Sequence, residues 1–270
     1  MTTLRAHDWR WKPDGGYYTR RAEELEEAPL LPDLRTPRDA RIARLFHELL
    51  PRERTAAVLE LGCGASRWLP YLALREGCRV TGVDYEPSAV ALTIANMRGA
   101  GAEGEILCRD AFSVGDNVDL AGRFDVVYSM GLLEHFADIG KCLDAAARYL
   151  RPRGMILTTV PNLQGVNWAL QRFGDLRVLE THVVYDVARL RECHERTGFV
   201  TRAAGYVGFY DGFLSATAPG VAEWRRRMHA TLCRTSNLAA QGWVSITRAR
   251  VAPELAWLAP KVYYVGRRPW

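Results

Sequence analysis

Short runs rich in β-branched and aromatic residues recur along the chain, separated by longer stretches whose apolar residues stand three and four apart. Strands are predicted over residues 56–61, 79–83, 105–108, 124–129, 155–160, 199–206 and 261–266. A helix is predicted to start at Thr36, with Pro37 in its first position, Ile42, Leu45, Phe46, Leu49 and Leu50 on its apolar face, and Pro51 as its stop. The stretch holding Trp68, Leu69 and Leu72 predicts a second helix. Pro87 opens a third, with Val90, Ile94 and Met97 on one face and Gly99 at its end. Residues 138–150 predict a fourth, with Ile139, Cys142, Leu143, Ala146 and Leu150 inward, and Asp186 caps a fifth that Gly198 closes. Alternation of this kind predicts an α/β fold, a doubly wound and mostly parallel sheet covered by helices.

The layout divides the chain into an irregular, aromatic-rich and Arg-rich cap (residues 1–35), a core (36–206), an insertion (207–258) and a last core strand with a tail (259–270). The insertion, helical around residues 223–233, is too long for an ordinary hairpin loop and is read as a lid or an oligomer contact. With 270 residues, 48% of them apolar, the chain can bury a full core, which excludes disorder and a disulfide-stapled mini-fold. The six cysteines form no C-x-x-C pair, so they are expected to pack as small hydrophobes in a reducing interior, and no metal is expected. No 18-residue apolar run is present and the first residues lack the apolar block of a signal peptide, so a soluble cytoplasmic protein is expected, with no membrane contact. The net charge of +5 comes almost wholly from Arg, Lys occurring only at 12, 141 and 261. Its densest cluster, Arg225 to Arg227, lies beside Glu223 and reads as a solvated helix face, so a nucleic-acid partner is disfavoured.

The chemistry concentrates at the strand ends. The first strand runs into Glu60-Leu61-Gly62-Cys63-Gly64-Ala65-Ser66-Arg67, where glycines allow a tight turn and close approach of the backbone to a ligand. The third glycine of a dinucleotide-binding loop is replaced by Arg67, and Glu60 would repel a diphosphate but can face an ammonium group. Asp84 closes the second strand at the spacing from which an acid reaches ribose hydroxyls, and Tyr85 follows as a wall for a purine. Asp110, after the third strand, is placed to accept from an exocyclic amine. The fourth strand leads through Met130 to Leu133-Glu134-His135 at the carboxyl edge, where open α/β sheets bind ligands.

These motifs, Glu60-Leu61-Gly62-Cys63-Gly64, Val83-Asp84, Asp110-Ala111, Phe124-Asp125-Val126-Val127 and Leu133-Glu134-His135, resemble in order and spacing the class I S-adenosylmethionine-dependent methyltransferases, nearest to the small-molecule branch of ubiquinone and menaquinone biosynthesis. The resemblance covers residues 40 to 206. It implies a seven-stranded Rossmann-like methyltransferase sheet ending in an antiparallel strand, with S-adenosylmethionine as cofactor and S-adenosylhomocysteine as product. It further implies that Gly62, Cys63 and Gly64 pass under the methionine part with Glu60 ordering that region. Asp84 then binds the ribose, Tyr85 and Asp110-Ala111 the adenine, and Met130 and His135 the inner wall.

Methyl transfer from a sulfonium needs alignment first and a proton acceptor only for a hydroxyl or ammonium nucleophile. His135 is the first candidate for that base and His182 the second. Candidates for the acceptor pocket are Trp11, Tyr17, Tyr18, Asn162, Trp168, Tyr206, Phe209, Tyr210 and Phe213, a set that suggests a small, flat or apolar acceptor. Two other readings stay open: a binding or scaffold protein that keeps the cofactor fold without turnover, and a nicotinamide-dependent oxidoreductase, against which Glu60 and Arg67 speak.

Overall fold

The computed structural model describes residues 21–25, 27–113, 115–212, 215, 217, 220–247 and 253–269. Its sheet holds β1 (Ala57–Leu61), β2 (Arg79–Asp84), β3 (Glu105–Cys108), β4 (Phe124–Met130), β5 (Leu150–Pro161), β6 (Val200–Val207) and β7 (Lys261–Arg267), in the order β3-β2-β1-β4-β5-β7-β6. β1 through β5 pair in parallel, and β7 runs antiparallel between β5 and β6. This is a seven-stranded, mostly parallel Rossmann-like α/β sheet. β1 is buried on both faces because helices cover both, which is why its run Ala57-Val58-Leu59 does not alternate with polar residues.

The helices are α1 (Pro37–Leu49), α2 (Trp68–Arg75), α3 (Pro87–Gly99), α4 (Gly140–Tyr149), α5 (Gly165–Gly174), α6 (Leu176–Glu180), α7 (Val187–Arg196) and α8 (Glu223–Thr247). Local chemistry sets several starts. The Thr36 hydroxyl accepts from the Asp39 amide at 3.2 Å ahead of Pro37, and the Asp186 carboxylate accepts from the Arg189 amide at 2.7 Å. Ile94 is 40% exposed, against expectation, and the buried face of α3 is Ala89, Val90, Thr93, Asn96 and Met97. Polar Thr93 and Asn96 are inside because they serve the backbone: Asn96 donates to Leu30 O and Ser66 O, and Thr93 donates to Gly64 O. α5 and α6 lie in a stretch without a clean apolar period, and α8 runs well beyond the expected helical segment. No helix among the described residues is long and apolar enough to cross a membrane.

At the amino-terminal edge of the strands, the buried Asp125 carboxylate accepts from the Ala57 amide and from Arg54 and Arg151. Burial pushes its pKa up, but these donors outweigh it and leave the group below its usual range. At the opposite, carboxyl edge, β1, β2 and β4 end side by side. Antiparallel β7 brings its first residue there too, Lys261 standing opposite Pro161 of β5. That edge carries the site.

Gly82, central in β2, has no room for a side chain: a Cβ would stand 2.7 Å from Leu69 Cδ1 and 3.0 Å from Cys63 Sγ. Gly82→Ala is expected to destabilise the fold by about 1–3 kcal/mol through overpacking, read as a lower denaturation midpoint in urea at unchanged slope.

Candidate active site

A cavity of about 450 Å³ opens along the carboxyl edge. One half is built by the loop after β1 and the end of β2. Gly62 and Gly64 adopt φ of +65° and +50°, a region that costs other residues strain. The amides of Gly62 and Cys63 donate to Val83 O at 2.8 and 3.2 Å, and the Gly64 amide donates to Asp84 Oδ2 at 2.8 Å. A Cβ on Gly62 would stand 2.7 Å from Leu132 Cδ1, on the cavity wall, so only glycine keeps this passage open. Asp84 is 7% exposed, and burial raises its pKa against the pull of the Glu86 and Gly64 amides. Glu60, also on the wall, accepts from Ser66 Oγ and, at 2.9 Å, from the Tyr128 hydroxyl; burial pushes it up to about 8. A carboxyl held there protonated near neutrality is ready to ionise when a cation arrives. Tyr85 and Met130 line the same space. Burial, with Glu60 and Asp84 adding to it, drives the Cys63 thiol far above its ordinary pKa and leaves it unreactive.

The other half is walled by Ile42, Leu132, Pro161, Leu163 and Val178, with charged groups set among them. Arg67 and Arg38 both donate to Oδ1 of Asp39, which is fully buried, and Arg38 also pairs with Asp211. Glu134, 3% exposed, is pushed up to about 7 by burial while the charge of Lys261 pulls the other way. His135 meets His182 edge to face, ring centroids 4.5 Å apart, and burial followed by the neighbouring His182 brings its pKa down to about 3. Burial also lowers His182. Glu134, His135 and His182 present one carboxylate oxygen and two imidazole nitrogens within 4.8 Å of one another, a donor set of the kind that takes a divalent cation. Cysteine spacing, on which the expectation of no metal rested, is blind to it.

Glu60, Gly62, Cys63, Gly64, Asp84, Tyr85, Met130, His135 and His182 thus all meet on one cavity. Asp110 and Ala111 do not reach its wall: the Asp110 carboxylate accepts from the Phe112 amide at 2.9 Å, and Ala111 is packed in the core. None of the five described acceptor candidates lines the cavity either. Asn162 is fully buried and donates to Ala256 O and Ala259 O, a loop-holding task. Trp168 is 42% exposed under Arg172, Tyr206 packs on the core, Phe209 stacks on Trp243 at 4.8 Å, and the Tyr210 hydroxyl donates to Ser236. Trp11, Tyr17, Tyr18 and Phe213 lie outside the described residues. In their place the acceptor half holds Arg21, Arg38, Arg67, Glu134, Asp211 and Lys261. Glu134 stood in a recognised motif. The one available signal for Lys261 was its rarity in a chain that otherwise uses Arg.

Comparison with known proteins agrees with this architecture. The profile of a methyltransferase-domain family matches residues 34–204. The ubiquinone biosynthesis O-methyltransferase of Nitrobacter winogradskyi is 34% identical over 114 residues, 42% of this chain and 41% of that protein. The enzyme of the same name from Bradyrhizobium diazoefficiens is 30% identical over 122 residues, 45% of this chain and 46% of its own. The chain thus spans less than half the length of these two relatives. Among solved structures, that of the [4+2]-cyclase SpnF superposes with a TM-score of 0.61 at 17% identity, covering 94% of each chain. With this family profile spanning residues 34–204 and most of the sheet, the chain belongs to the methyltransferase-domain family.

Proposed function

We propose that this protein methylates a hydroxyl of a small, ring-bearing acceptor. The observation that carries this reading is the meeting, in one cavity, of the glycine cradle and a buried carboxyl, Glu134, whose pKa of about 7 suits proton transfer at neutral pH. The cofactor supplies a methyl group already activated on sulfur. The protein's part is orientation and proton removal. The glycine turn after β1 passes under the amino-acid end of the cofactor, Glu60 faces its ammonium, and Asp84 takes the ribose hydroxyls. The walls of Ile42, Leu132, Leu163 and Val178 hold an apolar ring beside it and exclude water. Glu134 accepts the hydroxyl proton as the acceptor oxygen takes the methyl. Its neighbour His135, brought down to about 3, is the weaker base of the two. The names of the sequence relatives support a hydroxyl as the accepting group.

Titration calorimetry with S-adenosylhomocysteine tests the cofactor half. Binding is expected at pH 7 with release of a fraction of a proton, because the ligand's ammonium favours the ionised form of a Glu60 that stands at about 8 when free. Asp84→Ala is expected to weaken binding by about tenfold or more, as loss of hydrogen bonds to a charged group does. No heat with either the product or S-adenosylmethionine would sink the assignment.

Transfer of labelled methyl to a panel of hydroxyaryl acceptors tests the catalytic half. The ionised form of Glu134 is the working base, so kcat/KM is expected to rise with pH through about 7, the pKa of the free protein, and level off above it. Glu134→Gln is expected to lower kcat by about a hundred- to ten-thousand-fold and to remove that rise. Binding of the cofactor without transfer to any member of the panel favours a scaffold.

A further inference from the structure

Lys261 occupies an unusual position for a lysine. It opens β7 at the carboxyl edge, and its side chain is half-buried on the cavity wall, where desolvation presses its pKa down while Glu134 pulls it up. Among the described residues its ammonium makes no ion pair within 4.0 Å. The other carboxylates on or behind the cavity wall are already engaged. Asp39 holds Arg38 and Arg67, Asp211 pairs with Arg38, Asp84 takes two amides, and Glu60 takes Ser66 and Tyr128. Glu134 faces Lys261 across Gly131, and one of its oxygens, Oε2, is buried without a hydrogen-bond partner. A Cβ built on Gly131 would stand 3.3 Å from Glu134 Oε1 and 3.7 Å from Lys261 Nζ, and Gly131 has φ of +74°. Glycine therefore keeps empty the space between an acid and an ammonium that do not touch. A half-buried ammonium without a counter-ion on a cavity wall attracts an anion, and this one is fixed on a strand beside the proposed base.

We propose that Lys261 binds a carboxylate on the methyl acceptor, so that the substrate is a hydroxy acid whose hydroxyl lies against Glu134 and whose carboxylate fills the space beside Gly131. This rests on the methyltransferase reading and narrows it to an acidic substrate class. A lone ammonium matches one carboxylate as a point charge, whereas the guanidinium groups of Arg38 and Arg67 on the same cavity are already tied to the buried Asp39.

The test uses the whole protein loaded with S-adenosylhomocysteine, and as probes 2-, 3- and 4-hydroxybenzoate with the three corresponding hydroxybenzamides. At least one acid is expected to bind about tenfold or more tightly than its amide, as a charge-assisted hydrogen bond requires. In Lys261→Met that preference is expected to vanish while S-adenosylhomocysteine still binds, and in Lys261→Arg it is expected to persist in weakened form. Amides binding as well as acids to the wild-type protein would overturn the proposal without any variant, as would a set of six probes of which none binds. An acid preference that survives Lys261→Met would overturn it too. Loss of about tenfold in S-adenosylhomocysteine affinity in Lys261→Met would assign the lysine to the cofactor and equally end the proposal. Failure of the wild-type protein to bind S-adenosylhomocysteine at all would instead count against the underlying methyltransferase reading.

Discussion

The site depends on how the central strand ends. β1 is buried on both faces, so where it stops its backbone must find new partners without leaving the sheet's edge. It does so by stitching itself to β2: the amides of Gly62 and Cys63 reach Val83 O, and that of Gly64 reaches the carboxylate of Asp84. Two glycines at positive φ make that turn, and the bend leaves a hollow between the ends of β1 and β4. The residue that satisfies the loop thus also lines the cavity. Both of its oxygens accept from amides, Gly64 on one and Glu86 on the other, so a ligand bonding to Asp84 meets a group whose geometry the fold has already fixed.

Burial gives this edge its electrostatic character. Glu60 and Glu134 are both pushed up, to about 8 and about 7, and His135 is pushed down to about 3, so burial works against the charged form of all three. In the proposed function, Glu60 answers the ammonium of the cofactor and Glu134 takes the proton of the acceptor. The arginines contribute less to this balance than their number suggests, because Arg38 and Arg67 are tied to the buried Asp39. Lys261, by contrast, has no ion-pair partner among the described residues.

Much of this was legible in the sequence for a local reason. Strand ends, helix caps and glycine turns are written in consecutive residues, so Thr36-Pro37, Glu60 to Gly64, Val83-Asp84 and Leu133 to His135 carried their structural meaning wherever the rest of the chain went. The acceptor half was less so. The aromatic residues were read as pocket walls because aromatics are large and apolar, but those properties serve equally to fill gaps between helices. Phe209 against Trp243 and Tyr210 on Ser236 do that, around a helix whose length no local pattern announced.

Sequence alone thus determined the order of strands and helices, the cradle after β1 and the acid at the end of β2, since each depends on neighbours a few residues away. Only the tertiary structure decided which charges share a cavity. β7 runs antiparallel and enters the sheet between β5 and β6, and that reversal brings Lys261, near the end of the chain, to the edge where Glu134 stands. The pKa of Glu134 and the two histidines follows from the water excluded by elements far apart in sequence, a quantity that no run of residues encodes by itself.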